Sequence, residues 1–149
     1  MGYGGRFSAY SLEMGTNGTW NLYLQLSSGG DADGHEFGAV TDVENGLIYA
    51  PFQNYMMRIN TAGPSYDKVA MPPHMNKSFH VSVAWSAYSQ KLYFLGGMDD
   101  TGVLQGWKAF SYSSTEGWIN LSTSMKGTIP AFRKWACFVP AYNGFFWWF

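Results

Sequence analysis

A single cysteine, Cys137, leaves the sequence without an intrachain disulfide and without a CxxC metal or redox pair. Charge is equally sparse. Asp, Glu, Lys and Arg make up 13% of the chain, and Lys+Arg 9 against Asp+Glu 10 gives a net charge of -1. No stretch gathers the basic residues needed to neutralise a run of phosphates, so nucleic acid is not an expected partner. No apolar run approaches the roughly 18 residues that cross a bilayer, and the opening MGYGGRFSAYSLEM has no signal-peptide core. No membrane span is therefore expected in this chain. A capped amphipathic helical period is missing too, which argues against helical bundles and βαβ units. GxSxG, HExxH and GxxxxGK[ST] do not occur, and the acidic residues are scattered through turn-like segments. Neither a catalytic constellation nor a cofactor is expected.

What the chain does hold is apolar and aromatic: 46% hydrophobic residues, 19% aromatic, with Gly 18 and Pro 6. That is enough apolar surface for a packed core, and too little charge for a disordered segment. Aromatics favour strands, and glycine supplies the positive φ of tight turns, so the expected class is all-β. Trp20, His35 and the pair Asn45-Gly46 recur without a gap 98 residues later as Trp118, Arg133 and Asn143-Gly144. A weaker copy lies between them, with Tyr66 in the tryptophan position, His80 in the basic position and Gln90-Lys91 at the turn. Two units in that interval give about 49 residues each, in the range of propeller blades.

Each full unit divides into four short strands. HEFGAVTDV, GLIYAPF, YMMRIN and YDKVAM fill the second unit; FHVSVAW, KLYFLGG, GWKAFSY and GWINL fill the third. Phe79, Val81, Val83 and Trp85 alternate with His80, Ser82 and Ala84, the period of two of a strand with one large and one small face. LIYAPF and LYFLGG are continuous apolar runs, as expected of strands covered on both faces, and Pro51 weakens pairing in the first. Strand breaks are expected near Gly46, Gly97, Gly117 and Gly144.

LYFLGG with Gly96-Gly97, GWINL with Trp118, and TIPAFRKWACFVPAYNG with Pro130 and Arg133 follow the order of kelch repeats, and the last segment is similar to fungal galactose-oxidase/kelch-like repeats. The chain thus resembles an incomplete kelch-type β-propeller over nearly its whole length. The resemblance implies blades of four antiparallel strands, about three blades' worth in a ring that is not closed: residues 1–30 a half blade, 31–72 and 73–124 full blades, 125–149 a half blade. Ala50-Pro51 replaces the diglycine of the second unit, a departure from the pattern. The apolar end at 145–149 (FFWWF) is expected to be a cut through a longer protein, and the open edge strands invite pairing with other chains.

The expected function is a non-enzymatic binding module that recognises protein or glycan through its loops, a step made by analogy of fold. The alternatives are a fragment of a galactose-oxidase-like copper enzyme and a purely structural repeat of a larger protein. For the copper enzyme the resemblance implies tyrosine and histidine ligands and a Tyr-Cys crosslink. His35, His74 and His80 show no paired ligand spacing, however, and Cys137 stands 98 residues after Ala39, in an expected small buried strand position. Trp20 and Trp118 are either sugar-stacking platforms or inter-blade core; the family's pattern favours core. Asp31-Ala32-Asp33-Gly34 lacks the ligand order of a calcium loop. Sequons at Asn17, Asn76 and Asn120 are candidate glycosylation sites, and their use implies a secreted or cell-surface parent. The longest unrepeated loop, 97–106, shares a rim with the links between units, so the expected binding patch combines Asp99, Asp100, Lys126 and Arg133.

Overall fold

The computed structural model describes residues 6–12, 20–27, 38–51, 55–63, 65–72, 75, 81–98, 101–103, 108–128, 131, 136–141 and 144–148. They form 12 strands: β1 (Arg6–Leu12), β2 (Trp20–Ser27), β3 (Val40–Asp42), β4 (Leu47–Pro51), β5 (Tyr55–Asn60), β6 (Ser65–Ala70), β7 (Ser82–Ser86), β8 (Lys91–Leu95), β9 (Ala109–Ser113), β10 (Gly117–Asn120), β11 (Phe138–Pro140) and β12 (Phe146–Trp148). No α-helix occurs among the described residues. The strands build antiparallel sheets of two, four, four and two members: β1-β2, β3-β4-β5-β6, β7-β8-β9-β10 and β11-β12. Each four-stranded sheet is an up-and-down meander, in which strands consecutive in the chain are hydrogen-bonded neighbours.

β7 touches β3 on one side and β11 on the other, so the first strands of three successive sheets lie side by side. The sheets stack face to face from that common line, as blades do in a propeller, and they do not close into a ring.

The large faces fill the space between the two four-stranded sheets. Tyr49 and Met56 from one meet Val83, Leu92, Phe94, Phe110 and Tyr112 from the other, with Met75 and Val81 completing the cluster. Met56, Leu92 and Phe94 are sealed from solvent, and each such side chain contributes about 1.5–3 kcal/mol of hydrophobic stabilisation. The opposite faces of β4 and β5 bury Ala50, Met57 and Ile59, so β4 is covered on both sides. Pro51 falls at the last position of β4, where its missing N–H interrupts little. On β7 the small residues Ser82, Ala84 and Ser86 are also buried, and the Ser82 hydroxyl donates to the Ala136 carbonyl at 2.7 Å, tying this sheet to the chain entering β11.

One turn design recurs. In the β3–β4 turn the Asp42 carboxylate accepts from the Asn45 N–H at 3.1 Å, and Gly46 follows with φ 61. Ser86 accepts from the Ser89 N–H at 3.4 Å before Gln90, φ 54, and Ser113 accepts from the Glu116 N–H at 3.1 Å before Gly117, φ 72. A short oxygen-bearing side chain closes the turn, and the next residue takes the left-handed conformation that returns the chain. Gly97 (φ 108) and Gly144 (φ 80) also lie at expected breaks. The middle unit differs from the sequence alignment by one residue, because Gln90 itself, not Lys91, occupies the place of Gly46.

Candidate functional site

Where β3, β7 and β11 come together they leave an open groove of about 920 Å³, lined by Val40, Thr41, Val83 to Tyr88, Phe138, Pro140 and Ala141. Its three aromatic residues are Trp85 on β7, Tyr88 in the turn after it, and Phe138 on β11. Trp85 is half-buried and stacked on Tyr49, with centroids 5.9 Å apart and planes 14° from parallel. Tyr88, in the β7–β8 turn, is 76% exposed.

None of the lining residues carries a formal charge. Thr41, Ser86 and Tyr88 bring hydroxyls to the lining; Ser86 is buried and accepts from the Ser89 N–H. Charge begins only at the rim, where the Gln90 side-chain amide donates to the Glu44 carboxylate at 2.6 Å and to the Ala87 carbonyl at 2.9 Å. That pair links the β3–β4 and β7–β8 turns. On the other side a Cβ placed on Gly144 would stand 3.1 Å from the Tyr88 ring, so the β11–β12 turn leans on the same tyrosine. Beneath the groove, burial and the neighbouring Asp42 raise the Tyr49 phenol above its ordinary pKa, with Arg58 opposing.

Asp99, Asp100 and Arg133 lie outside the described residues, as do Asn17, Asn76, His35, His74 and His80; Lys126 is exposed in the segment after β10. The proposed patch of Asp99, Asp100, Lys126 and Arg133 is therefore represented by Lys126 alone. Asn120 is exposed on β10, at the edge of its sheet, and its side-chain oxygen accepts from the Ser122 N–H at 2.9 Å. Trp118 belongs to the core: its ring lies 5.0 Å from both Phe94 and Tyr112, and its indole N–H donates to the Ala70 carbonyl of the preceding sheet at 2.8 Å. Trp20 on β2 pairs with Leu12 on β1, as Trp118 on β10 pairs with Tyr112 on β9.

Cys137 corrects the expectation placed on it. It is exposed, because the residue equivalent to Ala39 precedes the first strand of its sheet instead of lying within it, and Ala39 is exposed for the same reason. Among the described residues no group of three His, Cys, Asp or Glu side chains could hold a metal ion. No helix of the described residues is long and apolar enough to cross a membrane.

Sequence reasoning passed over the groove because it weighed loop length and unrepeated composition. The usable signal was different: an aromatic, Tyr88, in a four-residue turn whose other members are Ala87, Ser89 and Gln90. No protein-family model matches the chain, and no curated protein matches it.

Proposed function

We propose that this chain is a kelch-type propeller segment whose work is binding, and that its ligand is an uncharged glycan held in the groove between β3, β7 and β11. The sheets of two, four, four and two strands correspond in this reading to a half blade, two full blades and a half blade. The observation that carries it is the lining: the exposed Tyr88 ring, the half-buried rings of Trp85 and Phe138 and several hydroxyls, with no charged residue among them. Pockets that recognise by shape combine apolar walls with a few placed polar groups, and a pyranose offers both a C–H face for a ring and hydroxyls for Thr41 and Tyr88.

The test is a panel of neutral and acidic oligosaccharides offered to the protein and to Tyr88→Ala. A stacking contact of about 0.5–1.5 kcal/mol corresponds to roughly 2- to 12-fold in affinity. Neutral oligosaccharides should bind, and Tyr88→Ala should weaken them by that factor with its unfolding midpoint unchanged. No binding by any neutral member, or equal binding by the variant, rejects the groove as a glycan site.

A further inference from the structure

A second cleft opens beside the turns that border the groove. The β3–β4 turn is tied to the β5–β6 turn, where the Thr61 N–H and hydroxyl both donate to the Gly46 carbonyl at 2.8 and 2.9 Å, and to the β7–β8 turn through Glu44 and Gln90. Outward from this knot, along the sheet order β3-β4-β5-β6, lies a cleft of about 390 Å³ lined by Leu47, Arg58, Asn60, Ser65, Tyr66 and Asp67.

Strand register brings these residues together. Leu47, Asn60 and Ser65 pair across β4, β5 and β6, and Tyr49, Arg58 and Asp67 pair two residues further along, so both rows project from one face of the sheet. In the second row Tyr49 is buried, stacked on Trp85 and edge-on to Tyr112 of the next sheet. Outward along the same row Arg58 is half-buried and Asp67 exposed, so the contact between the two sheets stops short of them at this end. The Arg58 guanidinium donates to both oxygens of the Asp67 carboxylate, from Nε at 3.0 Å and from Nη2 at 2.5 Å. This fork uses two of the five guanidinium N–H groups, and the other three meet no acceptor among the described residues. Each carboxylate oxygen keeps a lone pair for a further donor. The pair therefore presents charged donors and charged acceptors side by side, held in place by the fork.

We propose that this cleft binds a neutral sugar through a vicinal diol, one hydroxyl accepting from the Arg58 guanidinium and its neighbour donating to the Asp67 carboxylate. A neutral ligand is selected because the two charges offset each other, and an anion brought to Arg58 would lie against Asp67. Ser65 adds a hydroxyl and Leu47 an apolar wall. The cleft and the groove are separate sites, and binding at one does not require binding at the other.

Methyl mannopyranoside, which carries both cis and trans vicinal diols, is the probe, titrated into the full chain while backbone amide signals are followed by nuclear magnetic resonance. Shifts should gather at Asn60, Ser65 and Asp67 and saturate. Binding in the groove moves Thr41 and Tyr88 instead, so the two sites are read apart. The fully O-methylated mannoside, which has no proton to donate to Asp67, should leave the cleft signals in place. Asp67→Asn and Arg58→Lys should each weaken binding roughly 10- to 100-fold, the range for a hydrogen bond to a charged group, with the circular dichroism spectrum unchanged. Tyr88→Ala should bind at the cleft as the unaltered protein does. Cleft signals that ignore the mannoside, that answer equally to its O-methylated form, or that answer only to inorganic phosphate overturn the proposal, as do folded Asp67→Asn and Arg58→Lys variants with undiminished affinity. The comparison of the two mannosides uses the unaltered protein, so it decides the matter even where a variant fails to fold.

Discussion

Replacing Trp118 separates two roles that a recurrent tryptophan can have, and the geometry gives a magnitude for one of them. Its ring makes contacts with Phe94 and Tyr112 at 5.0 Å each, and such aromatic pairs add about 0.5–1.5 kcal/mol apiece beyond area burial. Its indole N–H bonds the Ala70 carbonyl at 2.8 Å. That bond is worth about 0.5–1.5 kcal/mol in general, and the low end applies here because the Ala70 position is exposed and water replaces the donor. Trp118→Ala should therefore cost about 2–4 kcal/mol, and Trp118→Phe, which keeps a ring but loses the N–H, about 1 kcal/mol. Urea unfolding followed by far-ultraviolet circular dichroism reads both, since it does not depend on the tryptophan removed. The strand preceding Trp118 is sealed by Phe110 and Tyr112, so the loss should appear as a shifted midpoint with the slope unchanged. A cost below about 1 kcal/mol for Trp118→Ala, joined to a loss of ligand capture, would refute the reasoning and make the residue a binding platform.

Two further outcomes follow from the turns and from the buried phenol. Gly46 has φ 61, and a Cβ there would stand 3.0 Å from the Thr61 hydroxyl, so Gly46→Ala should destabilise by about 1–2 kcal/mol in the same unfolding assay; no change in midpoint would show that the turn relaxes. Tyr49 has a pKa raised in the folded state, chiefly by burial, so its contribution is fully present below the ordinary tyrosine value of 10.0 and is lost as pH rises through the higher folded value. Stability should fall with pH above 10.0, and Tyr49→Phe should flatten that fall when denaturation midpoints are compared from neutral pH upward; an identical slope in the variant assigns the alkaline loss to other groups.

Much of the architecture was legible in the residues. The alternation of Val81, Val83 and Trp85 with Ser82 and Ala84 announced β7, and YMMRIN coincides with β5 residue for residue. The glycines at 46, 97, 117 and 144 marked breaks because only they take positive φ cheaply, and all four do. The same pattern hid Gln90, where the turn is closed by Ser86 and the left-handed position is filled by a residue that local rules disfavour. The misplaced burial of Cys137 has a related origin, since a repeat fixes equivalence between positions and is silent on whether the shared position lies inside a strand.

The sequence by itself determined the class, most of the turns and the repeat, because each depends on neighbours within a few residues or on a period along the chain. Only the tertiary structure decided that β7 lies between β3 and β11, that Trp118 reaches Ala70 across 48 positions, and that Trp85 and Tyr88 border a groove. Those relations join residues far apart in the chain, and the packing of whole sheets against one another sets them. A period of two says which side chains share a face; it does not say which face meets which neighbour, or what is left open between them.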